Sequence, residues 1–224
     1  MSDELKKQAA LAALDEIRDG MIVGLGTGST ATHFIRALGE KVRNGLKVSG
    51  IPTSEESRRL AEEVGIPLTT FKDHPEIDVT VDGADEVSPH LDLIKGLGGA
   101  LVREKIVAHA SRRVIIVVDE SKLVKKLGTK SVVPIEVIPL AAPRVLLQLK
   151  NLGGEAVVRE KNGRPFVSDN GNTILDWQRG VINQPAVLEK QLKAMTGVVD
   201  SGIFAGVADS VIVAASSGIR KLGK

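Results

Sequence analysis

The chain has 224 residues, enough for one large core or for a main core with a smaller satellite domain. Its 30 basic and 28 acidic residues leave a net charge of +2, and aromatics make up 2% with no Tyr, so neither nucleic acid nor an anionic membrane surface is indicated as a partner. With no cysteine, disulfides, thiolate metal sites and thiol nucleophiles are excluded.

The opening stretch, MSDELKKQAALAALDEI, is an amphipathic helical pattern that lacks the unbroken apolar run of a signal peptide. No stretch approaches the roughly 18 to 20 apolar residues of a membrane span, and a cytoplasmic protein is expected. Residues 21–25 then read as a buried strand, ended by the glycines of GLGTGST. Residues 29–42 carry apolar side chains at helical spacing: Phe34, Ile35, Leu38 and Val42. A second strand is predicted over 46–51 and a second helix over 54–64, capped by Ser54 with Ser57, Glu55 and Glu56 nearby. Strands at 77–81 and 114–118 (VIIVV) flank a helix over 99–110. This alternation implies parallel strands with right-handed crossovers, hence a Rossmann-like, mostly parallel α/β sheet with helices on both faces.

After about residue 130 the texture changes. SVVPIEVIP is β-rich but carries two prolines, which predicts a short or edge strand. A helix follows at 142–151, then strands at 155–159 and 173–177 around the turn signals Asn162-Gly163 and Asn170-Gly171, and a helix at 185–195. The expected organisation is a Rossmann-like domain over 1–128 and 204–224, completed by a returning strand at 211–214, with a smaller α+β insert over 129–203.

Four loops hold the chemistry-bearing residues. In GLGTGST, Gly24, Gly26 and Gly28 let backbone amides approach an anion, the helix start at Ser29 presents its positive end, and Thr27, Ser29 and Thr30 add hydroxyl donors. The other reading is an ordinary tight strand–helix turn with Ser29 as its cap. The run lacks the Gly-Lys-Ser/Thr ending of a P-loop, departs from G-x-G-x-x-G at Ser29, and is followed by no acidic residue placed for a ribose, all of which weakens nicotinamide binding. VDGADEV sets Asp82, Gly83, Ala84, Asp85 and Glu86 on one loop. Adjacent carboxylates suit general acid/base work; a Mg²⁺ site and a solvated acidic turn are the competing readings. KGLGGALVREK places Lys95 at the mouth of a second glycine turn, Gly96, Leu97, Gly98 and Gly99, with Glu104 inside the following helix. Arg103 and Lys105 fit a surface ion-pair role. Lys122, in DESK, is a further cation on the same rim and otherwise an exposed loop lysine. Ligands of open α/β sheets bind at that carboxyl edge. The four histidines share no metal-ligand spacing, and no serine sits in a nucleophile elbow.

Together, GTGST at 26–30, DGADE at 82–86, KGLGGALVREK at 95–105 and DESK at 119–122 resemble the A-type ribose-5-phosphate isomerases, and the likeness extends to VPIEVIP at 133–139 and DNGNTILD at 169–176. The resemblance implies reversible interconversion of D-ribose 5-phosphate and D-ribulose 5-phosphate in the non-oxidative pentose phosphate pathway, without metal or nucleotide cofactor. It implies Glu104 as the proton acceptor, substrate contacts at Thr27, Gly28, Ser29, Thr30, Asp82, Gly83, Ala84, Asp85, Lys95, Gly96, Leu97, Gly98 and Lys122, and a homodimer or tetramer. Leu97 stands where some members have Gly, its backbone N–H still available. A cis-enediolate route lets one carboxylate, Glu104, act as base and then acid, with Lys95 and the amides of the 96–99 turn stabilising the oxyanion and Asp82 or Asp85 assisting ring opening. A non-catalytic sugar-phosphate sensor of related fold is the alternative, and a nicotinamide-dependent oxidoreductase comes last.

Overall fold

A computed structural model describes residues 2–223. The chain opens with α1 (Ser2–Ala13), β1 (Ile22–Leu25), α2 (Ser29–Arg43), β2 (Ser49–Pro52), α3 (Glu55–Glu63) and β3 (Val79–Asp82). Next come β4 (Glu86–Val87), β5 (Leu93–Ile94), α4 (Leu101–His109) and β6 (Val114–Asp119). They are followed by β7 (Val133–Val137), α5 (Ala142–Asn151), β8 (Glu155–Val158), β9 (Glu160–Lys161), β10 (Arg164–Pro165) and β11 (Thr173–Gln178). The last elements are α6 (Pro185–Lys193), β12 (Val198–Ser201), β13 (Ile203–Phe204), β14 (Ser210–Ala215) and β15 (Gly218–Gly223).

Two units divide the chain: Met1–Ala84, Arg103–Lys122 and Val207–Lys224 in the first, Asp85–Val102 and Leu123–Gly206 in the second. Residues 85–102 and 123–128, expected from the sequence in the first domain, group with the second unit. The reason lies in pairing: β4, β5 and β13 form their own antiparallel sheet, and Val87 bridges Leu123.

In the first unit the sheet order is β15-β14-β6-β3-β1-β2, parallel throughout except for β15. Side chains alternate across a strand, so Val79 and Val81 enter the core shared with Phe34, Leu38, Ala9 and Ala13 of α2 and α1. Thr80 points the other way, where its hydroxyl lies 2.6 Å from that of Ser111 just beyond α4. Helices therefore cover both faces. β14 returns to this sheet beside β6 as expected, but β15 was not legible: its residues are almost all exposed, so it has no alternating apolar signal. β2 begins at Ser49, three residues later than predicted.

The second unit holds a four-stranded antiparallel sheet, β12-β7-β11-β8, with α5 and α6. β7 is an interior strand, which corrects the edge placement suggested by its prolines. Pro134 is accommodated although Gly202 lies opposite it: the Gly202 N–H donates to the Pro134 carbonyl at 2.7 Å, while the Gly202 carbonyl, which an N–H at position 134 would face, already accepts from Lys95 at 2.8 Å. Asn162 and Gly163 both take positive φ (56° and 72°) in the tight turn joining β9 to β10, as the sequence signal requires. The buried Glu136 of β7 accepts hydrogen bonds from Ser168, Asn170 and Asn172, joining the VPIEVIP and DNGN stretches.

Glu16 ties the end of the N-terminal helical segment to the sheet through Lys221 and Arg113. These two cations, Lys221 first, hold its carboxyl below its ordinary value of 4.5. A carboxylate more acidic in the fold than in the unfolded chain stabilises above its ordinary value and loses that contribution as pH falls through the lowered one. Glu16→Gln is expected to cost about 1 kcal/mol or less at pH 7, screened because the partners are half exposed, and the difference from the parent should vanish in acid; denaturant unfolding at both pH values checks this.

Candidate active site

The strand order reverses between β1 and β3: the chain leaves β1 for β2 on one side and returns to β3 on the other. Such a switch point opens a crevice at the carboxyl ends of the two strands, and the GTGST turn and Asp82 lie there. Asp82, buried at the end of β3, accepts the backbone N–H of Thr27 at 2.9 Å and of Gly83 at 2.8 Å on the same carboxylate oxygen. Gly26 lies against that carboxylate; a Cβ added there would sit 2.2 Å from Asp82 Oδ1 and 2.6 Å from its Cα. Gly28, at φ 99°, adopts a backbone conformation that L side chains rarely take and leads into α2. The first-turn amides of α2, at exposed Ser29 and buried Thr30, begin directly after it.

The Thr27 hydroxyl is not a spare donor, which corrects its assignment as one. It lies within hydrogen-bond distance of the hydroxyls of Thr53 (2.7 Å), Ser54 (2.8 Å) and Ser57 (3.0 Å). Ser57 in turn donates to the Gly26 carbonyl at 2.6 Å, and Thr53 to that of Leu25 at 3.0 Å. This cluster on the β2–α3 connection fixes the shape of the turn. Sequence reasoning saw Ser54 and Ser57 only as a helix cap, which Ser54 also is, and missed Thr53.

Glu104 is buried in the first turn of α4, since the helix begins at Leu101 rather than at Gly99. Its neighbour Arg103 reaches Glu55 at 3.0 Å, so the start of α4 lies beside the start of α3, on the same rim as the Thr27 cluster. Arg58 and Arg103 together hold the Glu55 carboxyl below its ordinary value. Arg103 thus fills the ion-pair role expected of it, whereas Lys105 is buried and does not fit a surface role. Lys122 is half-buried at the end of a 3₁₀ turn after β6, where Asp119 accepts the Ser121 amide at 2.9 Å.

In the second unit, Lys95 is buried, with its ammonium 5.6 Å from the centre of the Phe204 ring and its backbone N–H on the Gly202 carbonyl at 2.8 Å. The following turn uses its own amides more than the sequence suggested. Leu97 donates its N–H to Asp85 Oδ2 at 3.0 Å, and Gly99 donates to the Gly96 carbonyl at 3.0 Å. Leu97 therefore does not offer an available amide, and Asp85 is the anchor of this turn rather than a solvated acid. Glu86, fully buried, accepts the amides of Gly128, Lys130 and Ser131 at 2.6, 2.5 and 2.6 Å. Its role, together with those of Phe204 and Gly202, was missed, and nothing local to these residues signals it. Among the described residues no group of three or more His, Cys, Asp or Glu is placed to hold a metal ion, and no helix is long and apolar enough to cross a membrane.

A glycine turn anchored by a buried carboxylate at the reversal point of a parallel sheet defines the class: an open α/β sheet protein, an architecture in which ligands bind at the carboxyl rim. The chain belongs to the family of ribose 5-phosphate isomerase A, also called phosphoriboisomerase A, whose pattern it matches over residues 49–218. It is 51% identical to the ribose-5-phosphate isomerase A of Bradyrhizobium diazoefficiens, over 97% of this chain and 95% of that protein. With the enzyme of the same name from Methanothermobacter thermautotrophicus it shares 51% identity over 97% of each. A D-ribose-5-phosphate isomerase solved in complex with phospho-erythronic acid superposes with a TM-score of 0.98 at 44% identity, covering 100% of both chains. The ribose 5-phosphate isomerase A of Methanocaldococcus jannaschii superposes with a TM-score of 0.95 at 45% identity over 99% of each.

Because the clash at Gly26 involves the backbone of Asp82, side-chain motion alone does not relieve it. Gly26→Ala is expected to lower stability by about 1–3 kcal/mol and to disrupt the turn. Gly83→Ala, whose nearest contact is 3.9 Å away, should leave stability near that of the parent. Thermal unfolding of the two variants tests the contrast.

Proposed function

We propose that this chain is an aldose–ketose isomerase that interconverts D-ribose 5-phosphate and D-ribulose 5-phosphate in the non-oxidative pentose phosphate pathway. The observation that carries the reading is full-length kinship, with about half of all positions identical, to proteins named for that reaction. The phospho-erythronic acid held by a close structural relative adds support, because its planar carboxylate presents two oxygens much as a cis-enediolate does.

The reaction moves one proton from C2 to C1 and shifts the carbonyl from C1 to C2, with no net oxidation, so it calls for acid/base groups and not for a redox cofactor. In this reading Glu104 removes the C2 proton and returns one at C1. Its place in a helix turn tied down by the Arg103–Glu55 pair suits a base that must not wander. The negative charge that develops on the sugar oxygens is met by the Lys95 ammonium and, since Leu97 and Gly99 spend their amides within the turn, by the amides of Gly96 and Gly98. Asp82 or Asp85 assists opening of the furanose ring, beside Gly83 and Ala84. Gly28, Ser29 and Thr30 at the start of α2 hold the phosphate, with Thr27 shaping the turn and Lys122 adding positive charge. The same reading places the enzyme in the cytoplasm as a homodimer or tetramer, with a sugar phosphate as its small-molecule partner.

Glu104→Gln is expected to reduce turnover of ribose 5-phosphate by about 10² to 10⁴-fold while leaving affinity for phospho-erythronic acid within a few-fold of the parent. Ketose formation and calorimetric titration read the two quantities. Equal loss of both would remove Glu104 from the role of base. The parent should remain fully active in a chelator, and a parent that binds ribose 5-phosphate without converting it would instead be a sensor.

A further inference from the structure

We propose that Arg159 is a positioning residue for the turn at residues 95–99, and through that turn for the isomerisation proposed for this chain, on which this inference rests. Arg159 follows β8 in the second unit. Its backbone is held on both sides, the N–H donating to the Ile174 carbonyl at 2.8 Å and the carbonyl accepting from Phe166 at 2.8 Å. Its side chain is little exposed, at 11%, and all three guanidinium nitrogens donate hydrogen bonds. Nε donates to Asp176 Oδ2 at 2.9 Å and Nη2 to Asp176 Oδ1, a two-pronged carboxylate fork that sets the plane of the group. Nη1 then donates to two consecutive backbone carbonyls, Gly96 and Leu97, both at 3.0 Å.

Those two carbonyls matter because of peptide geometry. In a trans peptide the C=O and the N–H point in opposite directions. Pinning the Gly96 and Leu97 carbonyls to a fixed cation therefore directs the N–H groups of Leu97 and Gly98 away from Arg159. The Leu97 N–H is found where this argument sends it, on Asp85 Oδ2. The Gly98 N–H, one of the two amides assigned to the reacting oxygens, is turned the same way, and a positive charge against the carbonyl of the same peptide strengthens the dipole behind it. Arg159 thus sets both the aim and the polarisation of an amide assigned to the reacting oxygens, without touching substrate itself.

A lysine does not substitute. One ammonium lacks the planar fork that grips Asp176 while serving two further acceptors in the same plane. The arrangement also gives a purpose to Asp176, the last residue of the DNGNTILD stretch, which the reaction itself leaves unused. The Phe166 ring centre lies 6.0 Å from the guanidinium carbon, at the outer limit of cation–π range.

The test compares the parent with Arg159→Lys, Arg159→Ala and Asp176→Asn by amide hydrogen exchange and by steady-state kinetics well below the unfolding midpoint. Both Arg159 variants should lose exchange protection in peptides covering residues 95–99 while β7 and β11 keep theirs. Turnover should fall by about 10- to 100-fold, with kcat changing more than KM, and Asp176→Asn should do the same more mildly. Rescue by Arg159→Lys would overturn the proposal, because charge alone would then suffice. Unchanged exchange at 95–99, or a uniform loss of protection across β7, β8 and β11, would overturn it as well. If the parent fails to isomerise ribose 5-phosphate, the functional reading falls, while exchange at 95–99 still decides whether Arg159 holds the turn.

Discussion

The first unit depends on a single carboxylate at the one place where its parallel sheet reverses direction. Strands β1 and β3 run side by side, but their chains depart to opposite sides, and the ladder between them reaches no further than the bond from the Gly26 N–H to the Val81 carbonyl at 3.0 Å. Asp82 takes over there by accepting two backbone amides, one from each connection. Burying a carboxylate is costly, and two charge-assisted hydrogen bonds offset that cost only if the backbone comes close enough to donate them. Gly26 permits the approach because it has no Cβ. Everything nearby follows from that contact: the Thr27 hydroxyl reaches the β2–α3 connection, Ser57 holds the Gly26 carbonyl, and α2 starts from a turn that is fixed before any ligand arrives.

The second unit solves a similar problem by similar means. Its turns are rich in glycine and poor in aromatic side chains, so they have little bulk with which to pack. Carboxylates hold them instead. Asp85 takes the Leu97 amide, and Glu86 gathers three amides from the segment after Leu127. Glu136 takes two side-chain amides and a hydroxyl, and Asp176 orients Arg159. Holding a loop by its backbone leaves its surface bare.

Much of this is legible in the order of amino acids alone. Strands buried on both faces read as continuous apolar runs, and VIIVV is such a run and is fully buried as β6. The Asn162-Gly163 turn is legible because two adjacent positive φ values favour that pair. Legibility fails where length or exposure removes the pattern. β4, β5 and β13 span two residues each, too short for any period, and β15 is exposed along nearly its whole length. Pro134 misleads for a different reason: proline's missing N–H matters only where an acceptor awaits it, and the Gly202 carbonyl opposite is already bonded to the Lys95 N–H.

The sequence by itself determined the class of fold and the family, and it drew attention to a set of polar and glycine-rich loops, because those depend on local patterns of burial and on glycine placement. Only the tertiary structure decided which groups in those loops are already committed. The Leu97 amide is taken by a carboxylate 12 residues away, the Thr27 hydroxyl by side chains 26 to 30 residues on, and the Gly96 carbonyl by a guanidinium 63 residues on. A hydrogen bond needs its donor and acceptor within a few tenths of an ångström of the right distance, and across such separations that distance is set by how whole strands and helices pack. No local run of residues contains it.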